Sequence, residues 1–223
     1  MAAVARTLAA TLAYCCRAAA PSSSRRLVRT QATLPPTRDV DGVATLLKDG
    51  AKCVVMLGAG ASVAAGLPDF RTPGTGLYDT LEISGLPYPE AVFELDFFRT
   101  NPQPFYELAK ALWPTDDSRP TKAHKLVKLL ADKGQLVRCY TQNIDSLERA
   151  AGVPAEYIVA AHGNFDSATC IATGEKVDAE ALRRAIYEGT TDAFNAQNGG
   201  LCKADIVFFG EALPDRFWAS LRE

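Results

Sequence analysis

The sequence predicts an α/β fold with a parallel sheet, because short apolar runs alternate along the chain with helical patterns. Three such runs cover 53–57, 136–140 and 206–209. The run at 53–57 has the length and composition of a strand that is buried on both faces, 136–140 is a second strand, and 206–209 is a third, buried strand. Amphipathic segments lie between the runs, and this alternation is typical of parallel strands joined by helices. The chain has 223 residues, which is enough to bury a substantial core.

The first elements are a helix and a strand. Apolar residues recur at helical spacing over 40–47, and Gly50 follows as a C-cap. The strand at 53–57 runs directly into glycines. From 58 to 88, glycine, proline and aromatic residues dominate without a sustained period. We therefore predict a long ordered loop there, and loops of that length inside a compact domain tend to be functional.

The later elements continue the alternation. Thr121 is expected to cap one helix and Gly152 to close another. A polar stretch, 168–200, interrupts the pattern. The predicted helices cover 105–112, 121–133, 145–151 and 178–188, and the predicted strands cover 136–140 and 206–209.

Residues 1–38 differ in composition from the rest. They contain several arginines and serines and no acidic residue, which is typical of an organellar transit peptide. We therefore expect a mitochondrial protein, with the cytoplasm or nucleus as the alternative. Two other interpretations of the segment stay open: a disordered tail without an address, and a secretory signal built on the short apolar stretch 7–16.

Charge and cysteine content exclude some classes. The formal net charge of −2 gives no electrostatic basis for nucleic-acid binding. Six cysteines without a C-x-x-C pair fit a reducing compartment better than a disulfide framework. No apolar run reaches the ~18 residues that a membrane span needs, so we expect a soluble protein without a membrane partner.

Glycines follow the first predicted strand. They let a backbone approach a pyrophosphate closely, while the amides of the next turn face its charge. Val63 breaks the full G-x-G-x-x-G pattern, so a plain tight turn explains the motif equally well. The motif reads Gly58, Ala59, Gly60, Ala61, Ser62.

The predicted loop carries a second group of functional side chains, namely Asp69, Phe70 and Arg71, followed by Tyr78. Arginine suits a phosphate, and an aromatic face can shield a cationic centre. The alternative is a structural loop with an internal Asp–Arg pair.

Polar side chains also follow the second strand, where ligands of doubly wound sheets bind. Gln142, Asn143 and Asp145 can hold ribose hydroxyls or a carboxamide. Asp145 can equally act as the N-cap of the next helix, and the two roles are compatible.

His162 and Gly163 directly follow the next apolar stretch of the sequence, 158–161. A lone histidine is more often structural than catalytic, but the position of His162 beside Gly163 at a strand end favours a general base. The third strand then ends in a segment that can offer an edge to an extended peptide, although a core strand is the simpler interpretation. That segment is Val207, Phe208, Phe209, Gly210, Glu211.

The order of these motifs from about 40 to 218 resembles the sirtuin (Sir2) family of NAD-dependent protein deacylases. The stretches 86–95 and 148–154 are similar to its mitochondrial and cytoplasmic deacetylase branch. The resemblance implies a Rossmann-like domain over 39–223 with a small zinc-binding module inserted at about 168–203. NAD and an acyl-lysine protein substrate would meet between them.

The resemblance also implies the chemistry. NAD would be consumed, because the acetyl oxygen displaces nicotinamide to give an alkylimidate at the ribose. His162 would then deprotonate a ribose hydroxyl as general base, with Asn143 as a second catalytic residue. The segment 207–211 would pair with the substrate peptide as an added strand. NAD would be surrounded by Gly58, Ala59, Gly60, Ser62, Asp69, Phe70, Arg71, Tyr78, Gln142, Asn143 and Asp145.

The sequence departs from the family pattern in two places. Where the family has two C-x-x-C pairs, only Cys170 remains, so we expect no zinc and a helix over 178–188 that packs in its place. The family's later glycine-threonine-serine loop and its asparagine-containing adenosine loop are also missing. We therefore expect a C-terminally incomplete catalytic domain, from a truncated gene model, a splice form or a decayed paralogue.

Four functions remain after these departures. The leading one is an NAD-dependent protein-lysine deacetylase, a transferase acting on acyl-lysine. The alternative is a catalytically impaired module that binds NAD or ADP-ribose. A Rossmann oxidoreductase is disfavoured by Val63. ADP-ribosyl transfer at the same site stays open.

Overall fold

The computed structural model describes residues 39–67, 69, 72, 76, 86–114 and 118–222. Phe70, Arg71, Tyr78 and the expected transit peptide lie outside these residues. The described helices are α1 (Val40–Lys48), α2 (Leu95–Thr100), α3 (Gln103–Leu112), α4 (Lys122–Asp132), α5 (Leu147–Ala150), α6 (Ala179–Glu188), α7 (Thr191–Gln197) and α8 (Asp215–Ser220). The described strands are β1 (Cys53–Leu57), β2 (Leu136–Thr141), β3 (Ile158–Ala160), β4 (Gly163–Cys170), β5 (Lys176–Val177) and β6 (Cys202–Ile206).

The first sheet is parallel, in the order β1-β2-β3, and it confirms the predicted α/β class. Leu57, Thr141 and Ala160 lie side by side at its edge, because Leu57 pairs with Thr141 and Thr141 with Ala160. The carboxyl ends of all three strands are therefore level. Val127 and Leu130 of α4 pack against one face of the sheet and form its core there.

Strand β1 was predicted to be buried on both faces, and this prediction is wrong. Val54 is 59% exposed and Met56 48% exposed. Cys53, Val55 and Leu57 point the other way and pack into the core beneath α4. The described part of the chain therefore leaves the face of β1 that carries Val54 and Met56 largely uncovered.

The predicted strand at 206–209 is also corrected. Ile206 ends β6, which pairs with β4 in a second, antiparallel sheet of order β5-β4-β6. Beyond it, Phe209 makes only one isolated bridge, with Glu94. The run is apolar because Phe208 enters an aromatic core, where its ring lies 4.8 Å from Phe105 and 5.6 Å from Phe98. The third parallel strand is β3.

Local sequence explains most of the predicted helices. Asp178 caps α6 through hydrogen bonds from the amides of Glu180 and Ala181, and Gly189 ends it at a φ of 72°. Thr121 caps α4, as predicted. The predicted loop from 58 begins with two short 3₁₀ turns, Ala59–Ala61 and Val63–Ala65. The six-residue α2 was not predicted, because it is too short to show a helical period. None of the helices that the structure describes is long and apolar enough to cross a bilayer.

Candidate active site

The carboxyl ends of β1, β2 and β3 bring the sequence-predicted polar residues together. The amide of Gln142 donates to the carbonyl of Leu57 at 3.0 Å, and the amide of Ala161 donates to that of Thr141 at 2.9 Å. These bonds continue the strand ladder by one residue, so the three following loops start at the same level. Gly58, Asn143 and His162 consequently lie at one edge of the sheet.

A network of hydrogen bonds joins the first two loops. The side-chain amide of Asn143 donates to the carbonyl of Gly58 at 3.1 Å and to Ser62 Oγ at 3.2 Å. Ser62 Oγ in turn donates to Asp145 Oδ2 at 2.6 Å. Asn143, Ser62 and Asp145 are 7%, 3% and 9% exposed. The turn after β1 is therefore fixed to the loop after β2 by buried polar contacts.

Both carboxylate oxygens of Asp145 are used within the protein, while its role toward a ribose stays a prediction. Its Oδ1 accepts a hydrogen bond from the amide of Leu147 at 2.9 Å, at the start of α5, while its Oδ2 holds Ser62. Ser146, between them, is the one non-glycine residue with positive φ in the described part of the chain, at 56°. Such a conformation costs free energy. Here it is maintained by the two hydrogen bonds that the Asp145 carboxylate accepts, from the Leu147 amide and from Ser62.

His162 is fixed in one tautomer by its neighbour. Its Nδ1 lies 2.9 Å from the carbonyl oxygen of Gln142. A carbonyl can only accept, so Nδ1 carries the proton and Nε2 keeps a free lone pair. Burial lowers the pKa of His162 below its usual 6.5, and the Gln142 carbonyl partly offsets this. The imidazole is therefore neutral at pH 7 and able to accept a proton at Nε2.

Gly163 is required by the backbone of β6. It has a φ of 67°, and a Cβ placed on it would lie 1.8 Å from the carbonyl oxygen of Asp205. Next to it, the carbonyl of His162 accepts from the amide of Val207 at 2.9 Å. The close approach of β6 thus fixes the backbone that carries His162.

A buried polar cluster that the sequence did not predict lies behind this network. His124 Nδ1 accepts from the amide of Thr121 at 3.2 Å, and Thr121 Oγ donates to the carbonyl of Ala61 at 2.7 Å. Atoms of His124, Asp145 and Glu148 that could each hold a metal lie within 4.8 Å of one another. Burial lowers the pKa of His124 and raises that of Glu148. Burial therefore favours the uncharged form of both His124 and Glu148, which lessens the charge in this cluster.

The segment 207–211 is held by the protein itself at several points. Phe208 is buried, with 2% of its surface exposed. The amide of Phe209 donates to the carbonyl of Phe93 at 2.8 Å, and its carbonyl accepts from the amide of Leu95 at 3.1 Å. Within the described residues, the backbone groups of Gly210 have no hydrogen-bond partner. The amide of Glu211 donates to the carbonyl of Phe208 at 3.0 Å, so the segment makes a turn at Gly210, and pairing with a substrate peptide stays a prediction.

Glu211 is anchored by a lysine that the sequence did not single out. Its Oε2 accepts from the amide of Phe208 at 2.7 Å and from Lys203 Nζ at 3.0 Å. Lys203 is 5% exposed and also donates to the carbonyl of Ile206 at 2.6 Å. Burial lowers the pKa of Lys203, and Glu211 partly offsets this. The sequence signal that could have found Lys203 is the alternation of polar and apolar residues over 202–206. It places Lys203 and Asp205 on one face of β6.

Asp69 is held within its own loop. Its Oδ1 accepts from the amide of Thr72 at 2.8 Å, and its Oδ2 accepts from the hydroxyl of the same residue. The hypothesis of an Asp–Arg pair involves Arg71, outside the described residues. The roles of Phe70, Arg71 and Tyr78 stay predictions for the same reason.

The positions that the resemblance assigns to the two C-x-x-C pairs do not supply four zinc ligands; they are Cys170, Thr173, Asn195 and Asn198. A structural zinc takes four ligands, mainly thiolates. Cys170 provides one thiol, but Asn195 stands at a second position, and its Oδ1 accepts from the amide of Cys202 at 3.0 Å. The Asn198 amide, at a third, donates to the carbonyl of Phe194 at 2.8 Å. These amides support the local backbone, and the donor set does not fit a tetrahedral zinc ion.

Comparison with known proteins gives one consistent result. The Sir2 family model matches residues 58–223. The NAD-dependent protein deacetylase hst2 of Schizosaccharomyces pombe is 48% identical over 189 residues, covering 84% of this chain and 56% of the relative. Sirtuin-2 of Danio rerio is 44% identical, with 82% and 49% covered. Sirtuin-3 of Mus musculus is 49% identical, with 78% and 52% covered. The chain spans about half the length of these curated relatives.

Proposed function

The chain belongs to the Sir2 family, and on that premise we propose that it is an NAD-dependent protein-lysine deacetylase. It would transfer the acetyl group of a modified lysine to ADP-ribose and release nicotinamide. The observation that carries this proposal is His162, whose Nδ1 is held 2.9 Å from the Gln142 carbonyl. That bond leaves Nε2 as a base beside the buried network of Asn143, Ser62 and Asp145.

The glycine turn and the loop after β2 fit a dinucleotide. Among the described residues, a Cβ placed on Gly58 or Gly60 would meet nothing within 4 Å, so this part of the chain leaves the glycine backbone open to a ligand. NAD would supply the ADP-ribose acceptor and nicotinamide as leaving group. The residues proposed to hold it are Gly58, Ala59, Gly60, Ser62, Asp69, Phe70, Arg71, Tyr78, Gln142, Asn143 and Asp145.

The residues proposed for catalysis are His162 and Asn143. His162 would accept a proton from a ribose hydroxyl at Nε2, and its lowered pKa keeps it unprotonated at neutral pH. Asn143 donates to the carbonyl of Gly58 and to Ser62 Oγ. Its amide therefore holds the turn that would face the ribose.

The acetylated substrate would pair with the segment 207–211. The open backbone of Gly210 supports this, as does Phe209, whose side chain is 37% exposed. The segment would be supported by Val207, Phe208 and Glu211, which hold it against β6 and the aromatic core. An extended peptide would add to this edge through backbone hydrogen bonds.

Mass spectrometry of the products tests the proposed function. The purified full chain is incubated with NAD and an acetyl-lysine peptide. We expect deacetylated peptide, nicotinamide and acetylated ADP-ribose in equal amounts. NAD binding by a folded protein that forms none of these products would overturn the proposal in favour of a binding module. Products that carry ADP-ribose on the peptide would instead show ADP-ribosyl transfer.

We also propose that residues 1–38 direct the protein to mitochondria and that 168–203 form the inserted module. The arginine-rich, acid-free composition supports the first part. For the second, α6 and α7 lie between the paired strands β4 and β6. Fusion of residues 1–38 to a fluorescent protein tests the address. Mitochondrial fluorescence is expected, and a cytoplasmic or nuclear distribution would contradict it.

A further inference from the structure

Two cysteines lie directly opposite each other in the antiparallel ladder of β4 and β6. They are Cys170 and Cys202, both 0% exposed. The thiol of Cys202 donates to the carbonyl of Gly200 at 3.3 Å. Both side chains are free thiols in this structure.

The backbone around this pair favours a close approach of the two sulfur atoms. The amide of Cys170 donates to the carbonyl of Glu175 at 2.9 Å, and the amide of Cys202 donates to Asn195 Oδ1 at 3.0 Å. The two cysteines therefore exchange no backbone hydrogen bond and form the non-hydrogen-bonded type of cross-strand pair. In that type the Cα atoms lie about 4.5 Å apart, within the range of roughly 4.4–6.8 Å that a disulfide spans.

We propose that Cys170 and Cys202 form a covalent modification site, a dithiol that hydrogen peroxide closes into a disulfide between β4 and β6. The inference does not depend on the proposed deacetylase activity. It rests on the register of the two strands, on the burial of both cysteines and on the direction of their amides.

The reaction requires one two-electron oxidant. The thiolate of Cys170 attacks one oxygen of hydrogen peroxide, the O–O bond breaks, and a sulfenic acid and one water result. The thiolate of Cys202 then attacks that sulfur, the S–O bond breaks, and the disulfide and a second water form. The two sulfur atoms together lose two electrons, and the peroxide gains them.

The surroundings assign the first step to Cys170. A hydrogen bond from Thr173 lowers the pKa of Cys170, whereas burial raises that of Cys202 to about 11. A small opening would expose Cys170, because the turn 172–174 that follows it is exposed. On the other side, a Cβ on Gly200 would lie 3.4 Å from the Cys170 sulfur. Only a glycine backbone therefore covers the thiol there.

The disulfide would fasten two segments of the candidate active site to each other. The same ladder pairs Gly163 with Ile206 at its other end. One strand therefore follows His162 directly, and the other leads into 207–211. The bond would also close the loop that contains α6 and α7. A cross-link over a loop of this length typically stabilises a domain, and we expect the melting temperature to rise by about 5–10 °C.

Peptide mapping of the full chain tests the proposal. The protein is reduced, treated with hydrogen peroxide, blocked with N-ethylmaleimide and digested with trypsin without reduction. Cleavage after Lys176 and Arg184 puts the two cysteines on different peptides. We expect one cross-linked pair with a mass two hydrogens below the sum. Recovery of both cysteines as maleimide adducts, or joined to other cysteines, would overturn the proposal.

Two variants and a melting curve complete the test. In Cys202→Ser the cross-link should vanish and dimedone should trap a sulfenic acid on Cys170. The matched control, Cys53→Ser, removes a half-buried thiol elsewhere and should leave the cross-link intact. Peroxide should raise the melting temperature of the wild-type protein, and dithiothreitol should reverse the change. An unchanged or lower melting temperature of the cross-linked protein would contradict the proposed stabilisation, whether or not the variants fold.

Discussion

Ser62 Oγ donates a hydrogen bond of 2.6 Å to Asp145 Oδ2, across 83 positions of the sequence. This bond joins the turn after β1 to the loop after β2, and the amide of Asn143 adds a second link at 3.2 Å. All three residues are buried. The Ser62 hydroxyl is therefore one of the groups that fix the geometry of the proposed dinucleotide turn, and it is the one that links Asp145 to it.

Replacement of Ser62 by alanine should loosen this turn. The substitution leaves a buried carboxylate and a buried amide each short of one partner, so the free energy of unfolding should fall by about 1–3 kcal/mol. The KM for NAD should rise as well, because the turn is no longer fixed. Urea denaturation and initial rates measure the two effects. Ser220→Ala is the control, since that hydroxyl bonds only to carbonyls of its own helix. Equal effects of the two variants would contradict the role of Ser62.

The pH dependence of turnover should report His162. Burial places its pKa below 6.5, and a base acts only when it is unprotonated. The rate should therefore rise with pH through this lowered pKa and be near its plateau at pH 7. The measurement is kcat/KM between pH 5 and 8, which reports the free enzyme, beside an NMR titration in which the His162 resonance is assigned by its loss in His162→Ala. A midpoint above 6.5 in both experiments would exclude a base in this environment.

Gly163 should tolerate no side chain. Alanine there places a Cβ at 1.8 Å from the Asp205 carbonyl, at a φ of 67°. The backbone of β4 or β6 must shift, and we expect a loss of at least about 3 kcal/mol in the free energy of unfolding, or failure to fold. Gly189→Ala is the matched control, because its φ is 72° and nothing lies within 4 Å. It should lose about 1 kcal/mol. Similar losses for both would show that contact with Asp205 is unimportant.

Lys203 should contribute more to stability than an exposed lysine of the same sheet. Lys203→Met removes the partner of Glu211 and leaves the carbonyl of Ile206 without its donor. We expect a loss of about 3 kcal/mol. Lys176→Met, the control, breaks a pair in which the lysine side chain is 69% exposed, and such pairs contribute under about 1 kcal/mol. Thermal and urea unfolding compare the two variants. Equal losses in the free energy of unfolding for Lys176→Met and Lys203→Met would contradict the structural role of Lys203.

The sequence was sufficient to predict the parallel sheet and much of the candidate site. Gly58, Asn143 and His162 each follow an apolar run, and parallel strands bring such positions to one edge. The prediction depended only on local pattern and on this topological rule. The placement of these residues at one edge is confirmed, because local and tertiary structure agree at strand ends, while their roles stay predictions.

Tertiary packing determined the features that the sequence did not predict. Val54 and Met56 read as core residues, but their exposure depends on which strands and helices surround β1. Phe208 is apolar because it fills an aromatic core, and its run was therefore taken for a strand. Lys203 carries a charge, and a charged side chain is not expected in the core. Its burial is tolerated because it bonds to Glu211 and to backbone carbonyls. These partners lie on segments whose pairing no local pattern shows.

The most direct test of the proposed mechanism compares two activities of His162→Ala. In the proposed mechanism, release of nicotinamide precedes the step that needs the base. The variant should therefore still exchange labelled nicotinamide into NAD in the presence of an acetyl-lysine peptide, while its formation of acetylated ADP-ribose falls by roughly 10²–10⁴-fold. Circular dichroism establishes that the variant is folded. Formation of acetylated ADP-ribose at the wild-type rate, or an equal loss of both activities in a folded protein, would contradict the assignment of His162 as the general base.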